Sequence, residues 1–303
     1  MPSRIQQEHI YQQRLNTVLN HIRQNLRGDL SLSTLADVAG FSPFHFHRLF
    51  KALTDETVNE CVMRLRLERA AALLRASQVS ITHAALECGF ESISTFSRAF
   101  KKQYGLAART WDRHSPLKNS KNGQVLPGFT RYTLENLSQM AKDPAMKVTI
   151  RTLPAQRLAY IRIQNAYNHG HLVAESYERL VNWFCARGGN LKATTLYGMS
   201  QDDPEITPLE LCRFDWCVKV PNHWRADDIV SVVDFPECRI ASVRCVGDIF
   251  QEDKALQFLF RYWLPRSRYQ PANLPGMEIY RRQPCELGWE TYDMDCAIPV
   301  VAL

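Results

Sequence analysis

The phrase Ala36-Asp37-Val38-Ala39-Gly40-Phe41 returns 49 residues later as Ala85-Leu86-Glu87-Cys88-Gly89-Phe90. Small residues before a glycine, with an aromatic after it, mark a tight turn between two packed helices. Each copy runs on into an arginine and an aromatic-basic pair, Arg48 with Phe50-Lys51 and Arg98 with Phe100-Lys101. Two helix-turn-helix units in one chain are suited to neighbouring faces of a DNA duplex.

The surrounding pattern supports this frame. Ile10, Leu15, Val18, Leu19, Ile22 and Leu26 follow a 3.6-residue period and predict an opening helix over 8–26, with Gly28 as its stop. Ser31 and Ser42-Pro43 are good helix starts. The stretch 56–74 carries Val58, Val62, Leu65, Leu67, Ala70, Leu73 and Leu74 among arginines. As a helix it is a rod of roughly 27 Å, able to hold two reading units about one DNA turn apart. The net charge of +6 is concentrated here: residues 1–115 hold 15 Lys/Arg against 10 Asp/Glu, leaving 22 against 21 elsewhere.

No apolar run is long enough to span a bilayer, and the polar start Met1-Pro2-Ser3-Arg4 has no signal-peptide core. A cytoplasmic location is expected. The nine cysteines are odd in number and lie mostly in apolar periodic segments, which suits reduced, buried thiols rather than disulfides. No metal cluster and no cofactor motif is present.

In the first recognition helix, Phe46, Leu49 and Phe50 share the inward side, leaving Phe44, His47 and Arg48 for a groove and His45 and Lys51 for its walls. In the second, Phe96 and Phe100 are core, while Ile93, Ser94, Thr95, Ser97 and Arg98 face DNA and Lys101 and Lys102 suit phosphates. A His-aromatic alternation more often packs than reads DNA, which is the rival role for His45; the rival for Arg48 is a solvated helix arginine or a partner of an interior carboxylate. Exposed Phe44 needs a duplex or a neighbouring core to justify it.

Residues 115–144 read as a linker, opening on Ser115-Pro116-Leu117-Lys118-Asn119-Ser120-Lys121-Asn122-Gly123. Beyond it the pattern alternates, with strands expected from Met146 and over 157–163. A second duplication appears: Pro154-Ala155-Gln156-Arg157-Leu158-Ala159-Tyr160-Ile161-Arg162 matches Pro236-Glu237-Cys238-Arg239-Ile240-Ala241-Ser242-Val243-Arg244, and Phe214-Asp215 with Pro221 is echoed by Tyr292-Asp293 with Pro299. One helix falls inside each half, about 171–187 and 252–263. The whole is therefore multidomain: an all-α double helix-turn-helix domain (1–114), the linker, and an α+β domain (145–303) of two β-β-α-β-β halves joined in one curved antiparallel sheet.

This second domain is rich in aromatics, among them Tyr160, Tyr197, Phe214, Trp216 and Trp289, which suit either an apolar ligand groove or ordinary core packing. On the strand Met277-Glu278-Ile279-Tyr280, Glu278 and Tyr280 share one face. If Met277 and Ile279 face the core, Glu278 is solvated; if Glu278 and Tyr280 face the groove, the carboxylate can neutralise a ligand cation.

The first domain resembles the AraC/XylS-type DNA-binding domain through Ala36, Gly40, Phe41, Arg48, Phe50 and Lys51, again through Ala85, Gly89, Phe90, Arg98, Phe100 and Lys101, and through the connector Arg64-Leu65-Arg66-Leu67-Glu68-Arg69-Ala70. It departs where Asp55 replaces a usual glycine, Val58 and Ala108 usual prolines, and Cys61 a usual aromatic. The resemblance implies a sequence-specific transcription regulator whose recognition helices enter successive major grooves of double-stranded DNA, with RNA polymerase as a partner. Residues 145–303 are similar to the GyrI-like effector-binding domain through the duplication, Glu278-Ile279-Tyr280 and Asp295-Cys296-Ala297-Ile298-Pro299-Val300. That likeness implies a small hydrophobic or cationic effector held by Glu278 among aromatic rings.

Two other classes compete. Some relatives in the second family are hydrolases and others bind protein; here Glu278, Glu290 and Asp293 are candidate acids, but no nucleophile-base pair accompanies them, so the chain is read as not an enzyme. Two recognition helices in one chain fit a monomer or a homodimer.

Overall fold

The computed structural model describes residues 4–76, 79–113, 117 and 132–303. They divide into two compact units near residue 115.

The first unit is all helix: α1 (Arg4–Gln24), α2 (Leu32–Ala39), α3 (Pro43–Thr54), α4 (Val58–Ala76), α5 (Ile81–Glu87) and α6 (Ile93–Tyr104). The side chains of Ser31, Ser42, Ser80 and Ser92 accept the backbone N–H three residues on, capping α2, α3, α5 and α6. The repeated phrase folds the same way twice. Gly40 and Gly89 take left-handed φ of +68° and +81°, and the N–H groups of Phe41 and Phe90 donate back to the carbonyls of Ala36 and Ala85, both at 3.0 Å. This is the Schellman closure of a helix end.

One arginine holds the first turn and another the chain segment that the second turn packs against. Arg14 on α1 donates to the Gly40 carbonyl at 3.1 Å, and Arg66 on α4 donates to the Leu26 carbonyl at 2.9 Å, against which Gly89 also lies. On α4, Arg64 is buried and makes two 2.7 Å bonds to Glu56 and a 3.2 Å contact with Glu68. Asp55 ends α3 at φ +58°, where Gly105 ends α6 at +74°; Asp tolerates that region better than most side chains.

The expected linker lies mostly outside the described residues. Its described end holds a short helix, α7 (Leu134–Met140), closed by a reciprocal capping box between Thr133 and Asn136.

The second unit has nine strands among the described residues: β1 (Thr149–Leu153), β2 (Gln156–Gln164), β3 (Leu196–Ser200), β4 (Arg213–Lys219), β5 (Ser231–Phe235), β6 (Cys238–Gly247), β7 (Tyr269–Pro271), β8 (Gly276–Tyr280) and β9 (Tyr292–Ala302). Helix α8 (Gly170–Ala186) belongs to the first half and α9 (Ile249–Gln257), continued by a π turn over Phe258–Trp263, to the second. The sheet order is β1-β6-β9-β8-β3-β4-β2-β5, with β7 added to β9, and every pairing is antiparallel. Each half carries the expected β-β-α-β-β, the second with β7 in addition, and its first strand is exchanged: β1 pairs with β6 of the second half and β5 with β2 of the first. The halves meet at the β3–β8 seam.

Both faces of the sheet are covered by apolar layers. Tyr177, Leu180, Trp183 and Phe184 of α8 pack with Ile161, Leu196, Trp216 and Val218. Ala255 of α9 and Leu259 of the π turn pack with Val243, Cys245, Met294 and Cys296. The opposite face carries Leu158, Tyr160, Tyr197, Met199, Met277 and Ile279.

A Cβ at Gly89 would stand 2.2 Å from the Leu26 carbonyl oxygen, whereas one at Gly40 meets nothing closer than 3.5 Å. Gly40→Ala therefore loses about 1–2 kcal/mol for left-handed backbone alone, and Gly89→Ala a further 1–3 kcal/mol or so from overpacking. Urea unfolding of the full chain checks the order; equal losses at the two positions would refute it.

Candidate DNA interface and effector site

Serine caps and buried phenylalanines orient the two recognition helices. On α3, Phe46 and Phe50 point inward, and on α6 Phe96, Phe100 and Tyr104 do so. The opposite faces are open. Phe44, His45, His47, Arg48 and Lys51 on α3, and Ile93, Ser94, Thr95, Ser97, Arg98, Lys101 and Lys102 on α6, are all exposed. Phe44 is 75% and Ile93 44% accessible, unusual values for large apolar side chains. The Arg48 guanidinium lies over the Phe44 ring at 5.7 Å, and Arg98 Nε donates to the Ser94 carbonyl at 3.3 Å. His45 also packs on the Phe41 ring, centroids 5.2 Å apart, so its two sequence readings coexist.

In the second unit the pairing registers align one transverse row across six strands: Ile161, Trp216, Gly198, Glu278, Cys296 and Val243. All six point to the helix-bearing side. At the seam Gly198 faces Glu278, and a Cβ there would lie 2.5 Å from Glu278 Oε2 and 2.6 Å from Phe214 Cζ. The glycine leaves the room that the carboxylate and the ring occupy.

Glu278 is held from two directions. The Tyr280 hydroxyl donates to Oε2 at 2.5 Å, and the Glu252 carboxyl, arriving on α9 and buried, is its hydrogen-bond partner. Burial pushes Glu278 above the ordinary carboxylate value, and burial together with the Glu278 charge pushes Glu252 well above it. Burial and the two carboxyls also raise Tyr280 and Tyr292, which stay neutral.

The rings close around this pair. Trp216 lies 5.2 Å from Phe214, 5.3 Å from Tyr280 and 5.4 Å from Tyr177. Trp289, at a left-handed φ of +63°, stands edge-on to Tyr177 at 5.0 Å. Beyond Tyr177 and Tyr280 a cavity of about 650 Å³ runs between α8 and residues 281–286, lined by apolar Val181 and Leu191 and by charges of both signs, Glu178 and Glu286 against Lys192, Arg281 and Arg282. Tyr280 is thus both wall of the cavity and hydrogen-bond donor to Glu278.

Of the residues singled out in the sequence, Glu278, Tyr280, Phe214, Trp216 and Trp289 come together. Tyr160 and Tyr197 do not: strand alternation sends both to the opposite layer, where the Tyr197 hydroxyl donates to Gln156 at 3.1 Å. Met277 and Ile279 fill that same layer, yet Glu278 is not solvated, because the sheet is covered on both sides. Tyr177, Gly198 and Glu252 were missed. Glu252 falls in phase with the inward positions Ala255 and Leu259, and a charged residue on the buried stripe of a helix was the readable signal.

Residues 146–301 match the GyrI-like small molecule binding domain. The chain belongs to that family. Residues 35–114 match a helix-turn-helix domain family, and the first unit is of the AraC/XylS type, so both resemblances read from the motifs hold. The probable transcriptional regulator LumQ of Photobacterium leiognathi is 38% identical over 97 residues, covering 31% of this chain and 39% of LumQ. The transcriptional regulator Rob of Salmonella typhimurium is 34% identical over 101 residues, 33% of this chain and 35% of Rob. The chain thus spans little more than a third of the length of these curated relatives. A crystal structure of an AraC-type transcriptional regulator from Chromobacterium violaceum is 26% identical and covers 39% of this chain and 96% of that one, with a TM-score of 0.32. Among the described residues no helix is long and apolar enough to cross a membrane, no cluster of three or more metal-ligating side chains is found, and all nine cysteines are free.

The raised carboxyls set a pH dependence. A group whose folded value lies above its unfolded one adds stability below the ordinary value of 4.5 and loses it as pH climbs through the folded value. Glu252→Gln keeps a donor to Glu278 without titrating. Its urea midpoint should fall less than the native chain's between about pH 5 and 8, followed by tryptophan fluorescence; parallel curves would show that the pair does not hold its proton.

Proposed function

We propose that the chain is a one-component transcription regulator that acts in the cytoplasm: α3 and α6 read promoter DNA, and a small cationic, hydrophobic effector in the second domain changes its action on DNA or its contact with RNA polymerase. What supports the DNA half is a single observation, that both capped helices bury their aromatic side and leave every candidate contact residue exposed. In this reading Lys51, Lys101 and Lys102 neutralise phosphates and supply most of the affinity. Arg48 and Arg98 reach guanine edges or phosphates, Phe44 and Ile93 meet thymine methyls, and Ser94, Thr95 and Ser97 serve phosphates and base edges.

For the effector half, support comes from the surroundings of the Glu252–Glu278 pair. The titratable groups acting on it are Tyr280, Cys245 and Asp253, all acids. Among the described residues no cation is found acting on this anion to offset its desolvation, and the aromatic faces offer cation–π contact as well. A cation in the adjoining cavity meets Tyr280 first and reaches Glu278 when that ring turns aside. The companion reading as a module that binds only protein draws no support from a cavity of about 650 Å³, a volume ordinary for small-molecule sites.

Operators selected from a random duplex pool provide the test. Arg48→Ala should weaken binding by about 1–3 kcal/mol at one base position and relax preference there, as fluorescence anisotropy reads; an equal loss on every duplex would assign Arg48 to phosphate. In the effector arm, Glu278→Gln should weaken binding of the monocation N-methyl-4,4′-bipyridinium at least tenfold, and unchanged affinity would remove Glu278 from the site.

A further inference from the structure

The seam holds one more acid than a single cation needs. Glu278 already accepts from the Tyr280 hydroxyl at 2.5 Å, and Glu252, only 8% exposed, is in hydrogen-bonding contact with it. Two carboxylates in such contact cannot both ionise in an apolar enclosure. Since Glu278 is the acceptor for Tyr280, the shared proton resides on Glu252 and the pair carries one negative charge. The groups facing the pair are Tyr280 from β8, Cys245 from β6, Tyr292 and Cys296 from β9, Tyr167 from the turn after β2 and Asp253 from α9 itself. Each is an acid, so no basic group among them takes that proton up.

Resting on the cation-binding reading above, we propose that Glu252 is the adjustable charge of the site: it keeps its proton beside a ligand bearing one positive charge and releases it to a ligand bearing two. With a monocation, Glu278 alone balances the charge and the Glu252 O–H bond stays intact. With a dication, one positive charge is left over in a medium where an unpaired charge is expensive. The Glu252 O–H bond then breaks, its proton passes to the buffer, and two carboxylates face two positive charges. A helix is a suitable place for such an adjustable group. Glu252 lies on α9, across from the β8 strand that carries Glu278 and Tyr280, so its ionisation ends the hydrogen bond to Glu278 and leaves the β3–β8 backbone pairing in place.

A matched pair of probes isolates charge from shape: N-methyl-4,4′-bipyridinium with one charge and N,N′-dimethyl-4,4′-bipyridinium with two. Calorimetric titration of the full chain in buffers of different ionisation enthalpy counts the protons released. The dication should release close to one and the monocation close to none, and affinity for the dication alone should rise about tenfold per pH unit while Glu252 is protonated. In Glu252→Gln, whose amide still donates to Glu278, proton release and pH slope should vanish for the dication and its affinity fall at least tenfold. Equal proton counts for the two probes, or a pH slope that survives Glu252→Gln, would overturn the inference and leave the cation site standing. If neither probe binds the native chain, the cation reading itself fails and the inference with it.

Discussion

One pairing organises the second domain. The β3–β8 seam is where two duplicated halves become a single sheet, and its register sets a residue with no side chain opposite a glutamate. Gly198 has to be small because Glu278 Oε2 and the Phe214 ring fill the space where a Cβ would stand. A slip of one residue would exchange the two faces of β8, carrying Met277 and Ile279 to the helix side and Glu278 into the layer with Tyr160 and Tyr197. The exchanged first strands guard against this. Because β1 is paired to the second half and β5 to the first, neither half completes its own sheet, and the seam is tied at both outer edges.

The first domain solves a different problem by repetition. A recognition helix must bury enough to be rigid while leaving a face for DNA. Here the buried share is a small aromatic set, Phe46 and Phe50 in one unit and Phe96, Phe100 and Tyr104 in the other, so the outward face is free to carry cations and hydroxyls. The left-handed glycine closes the preceding helix within one residue, and the serine cap starts the next almost at once. Arg14 then fixes the first turn to α1, and Arg66 of α4 holds the Leu26 carbonyl, against which Gly89 of the second turn lies. Rigidity of this kind limits the entropy lost when DNA binds.

Much of this was legible in the residues, for reasons that differ by element. Helix ends were readable because capping is local: Ser31, Ser42, Gly40 and Gly89 act within a few residues of themselves. The β-β-α-β-β halves were readable because the duplication preserved Pro, Arg and Ala in register. Strand exchange was not, since pairing partners are set by long-range packing to which no short motif answers. The same limit explains Tyr160 and Tyr197. Aromatic content says that rings are present, but which side of a strand they take depends on a register fixed elsewhere. Glu278 escaped the choice between solvated and groove-facing because that choice assumed one covered face, and this sheet has two. Glu252 was hidden by its company: it reads as one acid among Asp248 and Asp253 at a helix start, where acids are common for the sake of the helix dipole.

The buried acid pair also has an energetic meaning for the domain. Replacing paired buried polar groups with apolar residues of the same shape is often neutral or stabilising, so the carboxyls are hard to explain by folding alone. In the cation-binding reading proposed above, a ligand's positive charge offsets their desolvation. On that reading the ligand stabilises the folded domain by mass action, about 2.7 kcal/mol at a concentration a hundred times its Kd. The backbone at Trp289 is strained as well. A non-glycine residue held left-handed stores roughly 1–2 kcal/mol, and that ring stands against Tyr177, which lines the cavity. Backbone strain and buried charge thus both stand beside the cavity, the first through Trp289 against Tyr177 and the second through Glu278 against Tyr280.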